Sequence, residues 1–146
     1  MGKGGGSHVS TSAWILLIDD EAKVRFTLSV ILKRAGYSVI GVENACEALQ
    51  QLKTRRFHLV FLDIYMPGIG GLQLLPEIRH LNPLLPVIIL TGDDSVETTL
   101  KAMNLGACGY LLKPVNPWQI LAVAAKLLEP LERHKTGSKP ARVRLP

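Results

Sequence analysis

From Trp14 to Leu128 the chain alternates short apolar runs with amphipathic stretches five times over, and that alternation limits the fold more than any other feature. WILLI (14–18), YSVIGV (37–42), HLVFL (58–62), PVIIL (86–90) and CGYLL (108–112) have the length and apolar continuity of buried strands. Between them the apolar spacing changes to that of helices. EAKVRFTLSVILKRAG puts Val24, Leu28, Ile31 and Leu32 on one side and stops at Gly36. Asn44 is a predicted cap for a helix through Lys53, with Ala45, Ala48, Leu49 and Leu52 facing the core. GLQLLPEIRHL (71–81) reads as a third helix whose regularity Pro76 puts in question. DSVETTLKAMNLG ends a fourth at Gly106, and Asn116 with Pro117 opens a last helix expected to end near Leu128.

Strict βα alternation predicts an α/β fold: a doubly wound, five-stranded parallel sheet with five helices on its two faces, in a single domain over residues 13–129. In such sheets ligands bind outside the carboxyl ends of the strands, where the strand order reverses. The Gly- and Ser-rich segment 1–12 reads as a flexible leader, and 130–146 as a basic linker or disordered tail. The formal charge is +5, yet residues 13–129 carry equal numbers of acidic and basic side chains, so the basicity belongs to the tail. That argues for a solvated linker rather than direct nucleic-acid binding. The longest apolar run, Leu84–Leu90, is too short for a membrane span, and the apolar stretch at 13–18 runs into Asp19, Asp20 and Glu21, unlike a signal peptide. Cys46 and Cys108, far apart and without metal-ligand spacing, read as small buried thiols of a reducing, cytoplasmic compartment.

Chemistry gathers at the predicted strand ends. Strand one runs into Asp19-Asp20-Glu21, strand three into Asp63, strand four into Thr91-Gly92 and strand five into Lys113-Pro114. Carboxylates brought together in one cleft repel, which raises a pKa or calls for a counterion. Oxygen ligands of this kind suit Mg²⁺ (or Mn²⁺), while Lys113 and the Thr91 hydroxyl supply a point charge and a donor for a phosphoryl group. The expected chemistry is nucleophilic attack by Asp63 on a phosphoryl group, supported by positioning and electrostatics.

The motifs LLIDDE, LVFLDIYMPGIGG, VIILTG and GACGYLLKPV, in that order, resemble those of the response regulator receiver domain of two-component signalling. The resemblance implies a flavodoxin-like strand order 2-1-3-4-5, with Asp63 as phosphoacceptor. It implies metal binding by Asp20 and Asp63, less directly by Asp19, and by the backbone carbonyl of Tyr65. Lys113, in a cis peptide bond to Pro114, would pair with the phosphoryl group. Thr91 and Tyr110 would be the switch pair, and the donor would be a histidine kinase or histidine phosphotransfer protein. Such a domain is a signalling phosphoacceptor that assists its own phosphorylation and dephosphorylation, rather than an enzyme acting on other substrates.

Three rivals are weighed residue by residue. A haloacid-dehalogenase-type phosphatase wants a second Asp two residues after the nucleophile, where this chain has Tyr65. A flavin-binding relative needs a phosphate loop after strand one, where Asp-Asp-Glu repels phosphate. A receiver-like module that is not phosphorylated sits poorly with the complete set Asp19, Asp20, Asp63, Thr91 and Lys113. The last helix carries more apolar surface than one buried stripe needs. Ile120, Val123, Ala124 and Leu127 can cover the sheet, leaving Trp118, Leu121, Ala122 and Ala125 for a partner or homodimer surface around helix four, strand five and helix five. No output domain fits in the tail, and position 65 is where the phosphoryl lifetime is expected to be tuned.

Overall fold

The structure is a computed structural model in which residues 12–133 are described; the expected leader, except Ser12, and the tail beyond Arg133 lie outside the described residues. The elements alternate as expected: β1 (Trp14–Ile18), α1 (Ala22–Arg34), β2 (Ser38–Val42), α2 (Ala45–Thr54), β3 (Leu59–Asp63), α3 (Gly71–Leu81), β4 (Val87–Thr91), α4 (Val96–Asn104), β5 (Gly109–Leu112) and α5 (Pro117–Arg133). All strand pairs are parallel and the order is β2-β1-β3-β4-β5.

Side chains alternate across the sheet, so each strand feeds two cores. Leu16, Ile18, Val60, Leu62 and Ile89 pack with Ala48 of α2, with Leu74, Leu75 and Ile78 of α3 and with Ala102 of α4. On the opposite face Ile15, Leu17, Leu59, Phe61, Ile88 and Leu90 meet Leu28 and Leu32 of α1 and Ile120, Val123, Ala124 and Leu127 of α5. Each fully buried Leu or Ile contributes on the order of 1.5–3 kcal/mol. Their number explains how the fold tolerates a charged cleft at one edge.

Local chemistry sets the helix ends. Asn44 Oδ1 caps α2 by accepting from the Glu47 N–H at 2.8 Å, and Glu47 Oε1 accepts from the N–H of Glu43, one residue before the cap, at 3.2 Å. Gly36 takes φ +104° after α1, a conformation that favours glycine. Pro76 does not break α3: its ring lies on the exposed face, while Leu74, Leu75 and Ile78 are completely buried and hold the helix on the sheet. The last helix outruns the expected end near Leu128, continuing through Pro130 to Arg133. Leu127 and Leu128 are buried just before that extension and anchor the helix leading into it.

The thiols differ from expectation. Cys46 is exposed, because Ala45 and Ala48 occupy the inward side of α2, and Cys108, just before β5, is only partly buried against the α1/α5 core. β3 and β4 each extend one residue beyond the apolar run, since Asp63 pairs with Leu90 and Thr91 with Leu112 in the ladder. Among the described residues no helix is long and apolar enough to cross a membrane.

Candidate functional site

The parallel ladder delivers its polar residues to one edge of an otherwise apolar sheet. Asp19, at 0% exposure, follows β1, Asp63, at 3%, ends β3, and Thr91, at 2%, ends β4. One oxygen from each of Asp19, Asp20 and Asp63 lies within 4.8 Å of the others, with Asp20 the most open of the three. Lys113, just past β5, reaches back into this group. Its Nζ is 2.8 Å from Asp19 Oδ2, 3.1 Å from Glu21 Oε1 and 3.5 Å from Asp63 Oδ2. The Lys113–Pro114 peptide is cis.

Burial first, and then the neighbouring Asp19 charge, push the Asp63 carboxyl up from 3.8 to about 7; Lys113 and the Tyr65 N–H, which donates to Oδ1 at 3.2 Å, act against the shift. Burial alone would lower the Lys113 ammonium, but Asp19, Glu21 and Asp63 together hold it above its ordinary value. Asp19 Oδ1 accepts from the Glu21 N–H at 2.9 Å, whereas buried Oδ2 has no aligned hydrogen bond although Lys113 approaches it closely. Three carboxylates with hard oxygen donors, gathered within reach of one another around a carboxyl whose ionisation burial opposes, make a donor set that fits a divalent cation of the Mg²⁺ kind.

The glycines after Asp63 have separate tasks. Gly68 adopts φ +77° in the turn. Gly71 lies directly against the backbone of Asp63 and Ile64, where a Cβ would overlap the Asp63 carbonyl, and its N–H donates to Ile64 O at 2.8 Å. This contact fastens the first turn of α3 to the end of β3. Thr91 Oγ1 accepts from the Asp93 N–H at 2.9 Å. Ile89 pairs with Tyr110 and Thr91 with Leu112, so Thr91 and the half-buried Tyr110 share one sheet face on neighbouring strands.

Sequence reasoning missed Arg25. Its Nη1 donates to the Asp19 carbonyl at 2.7 Å and its Nη2 lies 3.8 Å from Glu43 after β2, while its stem lies over Gly41, which has no side chain to displace it. It also missed Asp93, whose carboxylate accepts from the Tyr65 hydroxyl at 2.6 Å. An Arg on the second turn of α1 opposite a glycine in an edge strand was a usable signal for the first. Nothing local marks the second, because its partner is on another loop.

The expected partner surface divides. Trp118, at 79% exposure, and Ala122 are exposed, whereas Leu121 and Ala125 are half-buried, and Leu121 packs on the α1/α5 core. Val96 and Leu100 of α4 and Leu112 of β5 are also exposed.

An acidic cleft with a reaching lysine and a strand-end threonine, on a 2-1-3-4-5 parallel sheet, defines a domain of the receiver type. The chain belongs to the response regulator receiver domain family, whose pattern matches residues 15–125. It is 37% identical over 114 residues to the transcriptional regulatory protein ZraR of Escherichia coli K12, covering 78% of this chain and 26% of ZraR. To the alginate biosynthesis transcriptional regulatory protein AlgB of Pseudomonas aeruginosa it is 39% identical over 115 residues, covering 79% and 26%. The chain thus spans about a quarter of the length of these relatives. Among solved structures it resembles the chemotaxis protein CheY4 of Vibrio cholerae (TM-score 0.77, 30% identity, 80% of this chain and 99% of that one). It also resembles the receiver domain of NtrX from Brucella abortus (TM-score 0.75, 36% identity, 79% and 98%). Receiver domains are signalling domains of two-component systems, and those of response regulators are phosphorylated by histidine kinases.

Proposed function

We propose that this domain accepts a phosphoryl group on Asp63 from a histidine kinase or histidine phosphotransfer protein, in a Mg²⁺-dependent reaction, and relays the change to its α4-β5-α5 face. The observation that carries this reading is the buried Asp63 carboxylate, with the Lys113 ammonium at 3.5 Å and the Asp19 and Asp20 carboxylates beside it. A carboxylate Oδ of Asp63 attacks phosphorus as the bond to the donor imidazole nitrogen breaks. The product is an acyl phosphate and a free histidine. Water later cleaves the P–O bond, returning the carboxylate and inorganic phosphate.

Asp19, Asp20, Asp63 and the backbone carbonyl of Tyr65 would hold the ion, which supplies charge neutralisation at the transferring oxygens. Lys113 turns from Asp19 and Glu21 to a phosphoryl oxygen, and the Thr91 hydroxyl donates to another. Leaving its present place, that hydroxyl opens space on the sheet face it shares with Tyr110, and the ring moves inward. Trp118, Leu121, Ala122 and Ala125, with the exposed apolar side chains of α4, then form the surface read by a partner or by a second copy in a homodimer. The setting expected for this traffic is the cytoplasm.

The test is intact-mass spectrometry after incubation with Mg²⁺ and acetyl phosphate. One phosphoryl group should appear in the wild type, none in Asp63→Asn, and none in the presence of EDTA. Equal modification of wild type and Asp63→Asn would reject Asp63 as acceptor.

A further inference from the structure

Tyr65 and Asp93 sit two residues beyond Asp63 and Thr91, on the loops leaving the adjacent strands β3 and β4. Their side chains meet across the gap between those loops, the phenol donating to Asp93 Oδ2 at 2.6 Å. A bond this short to an ionised acceptor belongs to the strong, charge-assisted kind. Asp93 is itself fixed: Oδ1 accepts from the Ser95 N–H at 2.8 Å, and Oδ2 also accepts from Thr98 Oγ1 at 3.0 Å. These three bonds hold the Asp93 side chain in one place between the two loops. Its own N–H donates to Thr91 Oγ1 at 2.9 Å. One residue therefore grips the Thr91 hydroxyl with its backbone and the Tyr65 hydroxyl with its side chain.

We propose that Asp93 is a positioning residue that ties Thr91 and Tyr65 into one strap across the β3 and β4 loops, holding the Thr91 hydroxyl in its unmodified place until a phosphoryl group on Asp63 competes for it. This rests on the phosphoacceptor reading above and adds to it a restraint that acts before modification. When Thr91 turns toward the phosphoryl oxygen, the Asp93 N–H loses its acceptor. The β4–α4 loop is then free to shift, and Tyr65 is released with it. The strap favours only the unmodified state, so removing it moves the equilibrium toward the modified one by the free energy of the lost bonds. For one partly exposed hydrogen bond to a carboxylate that is roughly threefold to tenfold.

The experiment measures the apparent affinity for beryllofluoride with Mg²⁺, by isothermal titration calorimetry, in wild type, Tyr65→Phe, Asp93→Asn and the double variant. A second measurement follows hydrogen exchange of the Asp93 amide by NMR in the metal-free proteins. Tyr65→Phe should bind beryllofluoride about threefold to tenfold more tightly, with no further gain in the double variant. The Asp93 amide should exchange faster once the phenol hydroxyl is gone. Unchanged or weakened binding in Tyr65→Phe, or fully additive effects of the two substitutions, would overturn the proposal. If the wild type binds no beryllofluoride, the phosphoacceptor reading fails, and the exchange measurement then decides the strap alone: unchanged Asp93 exchange in Tyr65→Phe overturns it.

Discussion

Replacing Asp63 by Asn should make the metal-free domain more stable, and only above a defined pH. In the folded chain the Asp63 carboxyl is raised from 3.8 to about 7, chiefly by burial and by the Asp19 charge. An acid whose folded pKa lies above its unfolded one leaves stability intact below the unfolded value and removes it as pH rises through the folded value. The penalty therefore grows from near zero at about pH 4 to a plateau above about pH 7. A carboxyl carried from 3.8 to about 7 on folding corresponds to a ceiling of about 4 kcal/mol. The Lys113 ammonium, 3.5 Å away, readjusts as Asp63 ionises, so about half that ceiling is the working expectation. For a domain of this size, about 2 kcal/mol is a rise in melting temperature of roughly 5–10 °C. Asn keeps the shape and the acceptor oxygen without the charge, which isolates the electrostatic cost. Urea or thermal melts of both proteins in EDTA, from about pH 4 to about pH 8, give the curve directly. The gap should open between those limits. Millimolar Mg²⁺ at the upper limit should narrow it by stabilising the wild type through binding. A gap that stays constant with pH, or a variant less stable than wild type at about pH 8, would refute the reasoning.

Three further outcomes follow from other contacts. His58 Nδ1 accepts from the Trp14 N–H at 3.0 Å, and burial, then Arg56, hold the imidazole below its ordinary 6.5. Stability should accordingly fall as pH drops through 6.5 toward the lowered value, and His58→Gln, which can accept without titrating, should flatten that part of the pH–stability profile in urea melts. Gly71→Ala places a Cβ against the backbone of Asp63 and Ile64; it should lower the unfolding free energy by about 2–3 kcal/mol and weaken Mn²⁺ binding in calorimetry. Trp118→Ala removes a ring that is 79% exposed, so chemical denaturation should change by no more than about 0.5 kcal/mol, while any self-association seen by sedimentation should weaken.

The fold was legible because its determinants are local. Apolar runs, the Asn44 cap and the stops at Gly36 and Gly106 each show in a window of a few residues, and parallel topology follows from their alternation. The convergence of Asp19, Asp63, Thr91 and Lys113 was legible for the same reason, since a parallel sheet gathers every strand's carboxyl end at one edge. The helix over 71–81 was legible too, and Pro76 only raised a doubt about its regularity, because the cost of one lost helical bond is visible in sequence whereas the burial of Leu74, Leu75 and Ile78 that offsets it is not. The longer α5 eluded the pattern because Pro130 reads as a stop in sequence, whereas the backbone stays helical through it to Arg133. Asp93 and Arg25 were hidden for a third reason. Each acts through a partner on a different loop or strand, and the Tyr65–Asp93 pair is separated by 28 positions.

The register of the ladder also makes the hydrophobic core a ruler. Asp63 stands opposite Leu90, and Thr91 opposite Leu112, only because apolar neighbours on both faces lock each strand in place. A slip of one residue would turn Asp63 toward the opposite face and bring Leu62 or Ile64 to the cleft. The spacing of the reacting groups is thus written in leucines and isoleucines that never touch them. A packing defect deep in β3 or β4 should then surface first as misplaced chemistry, before it is felt as a loss of structure.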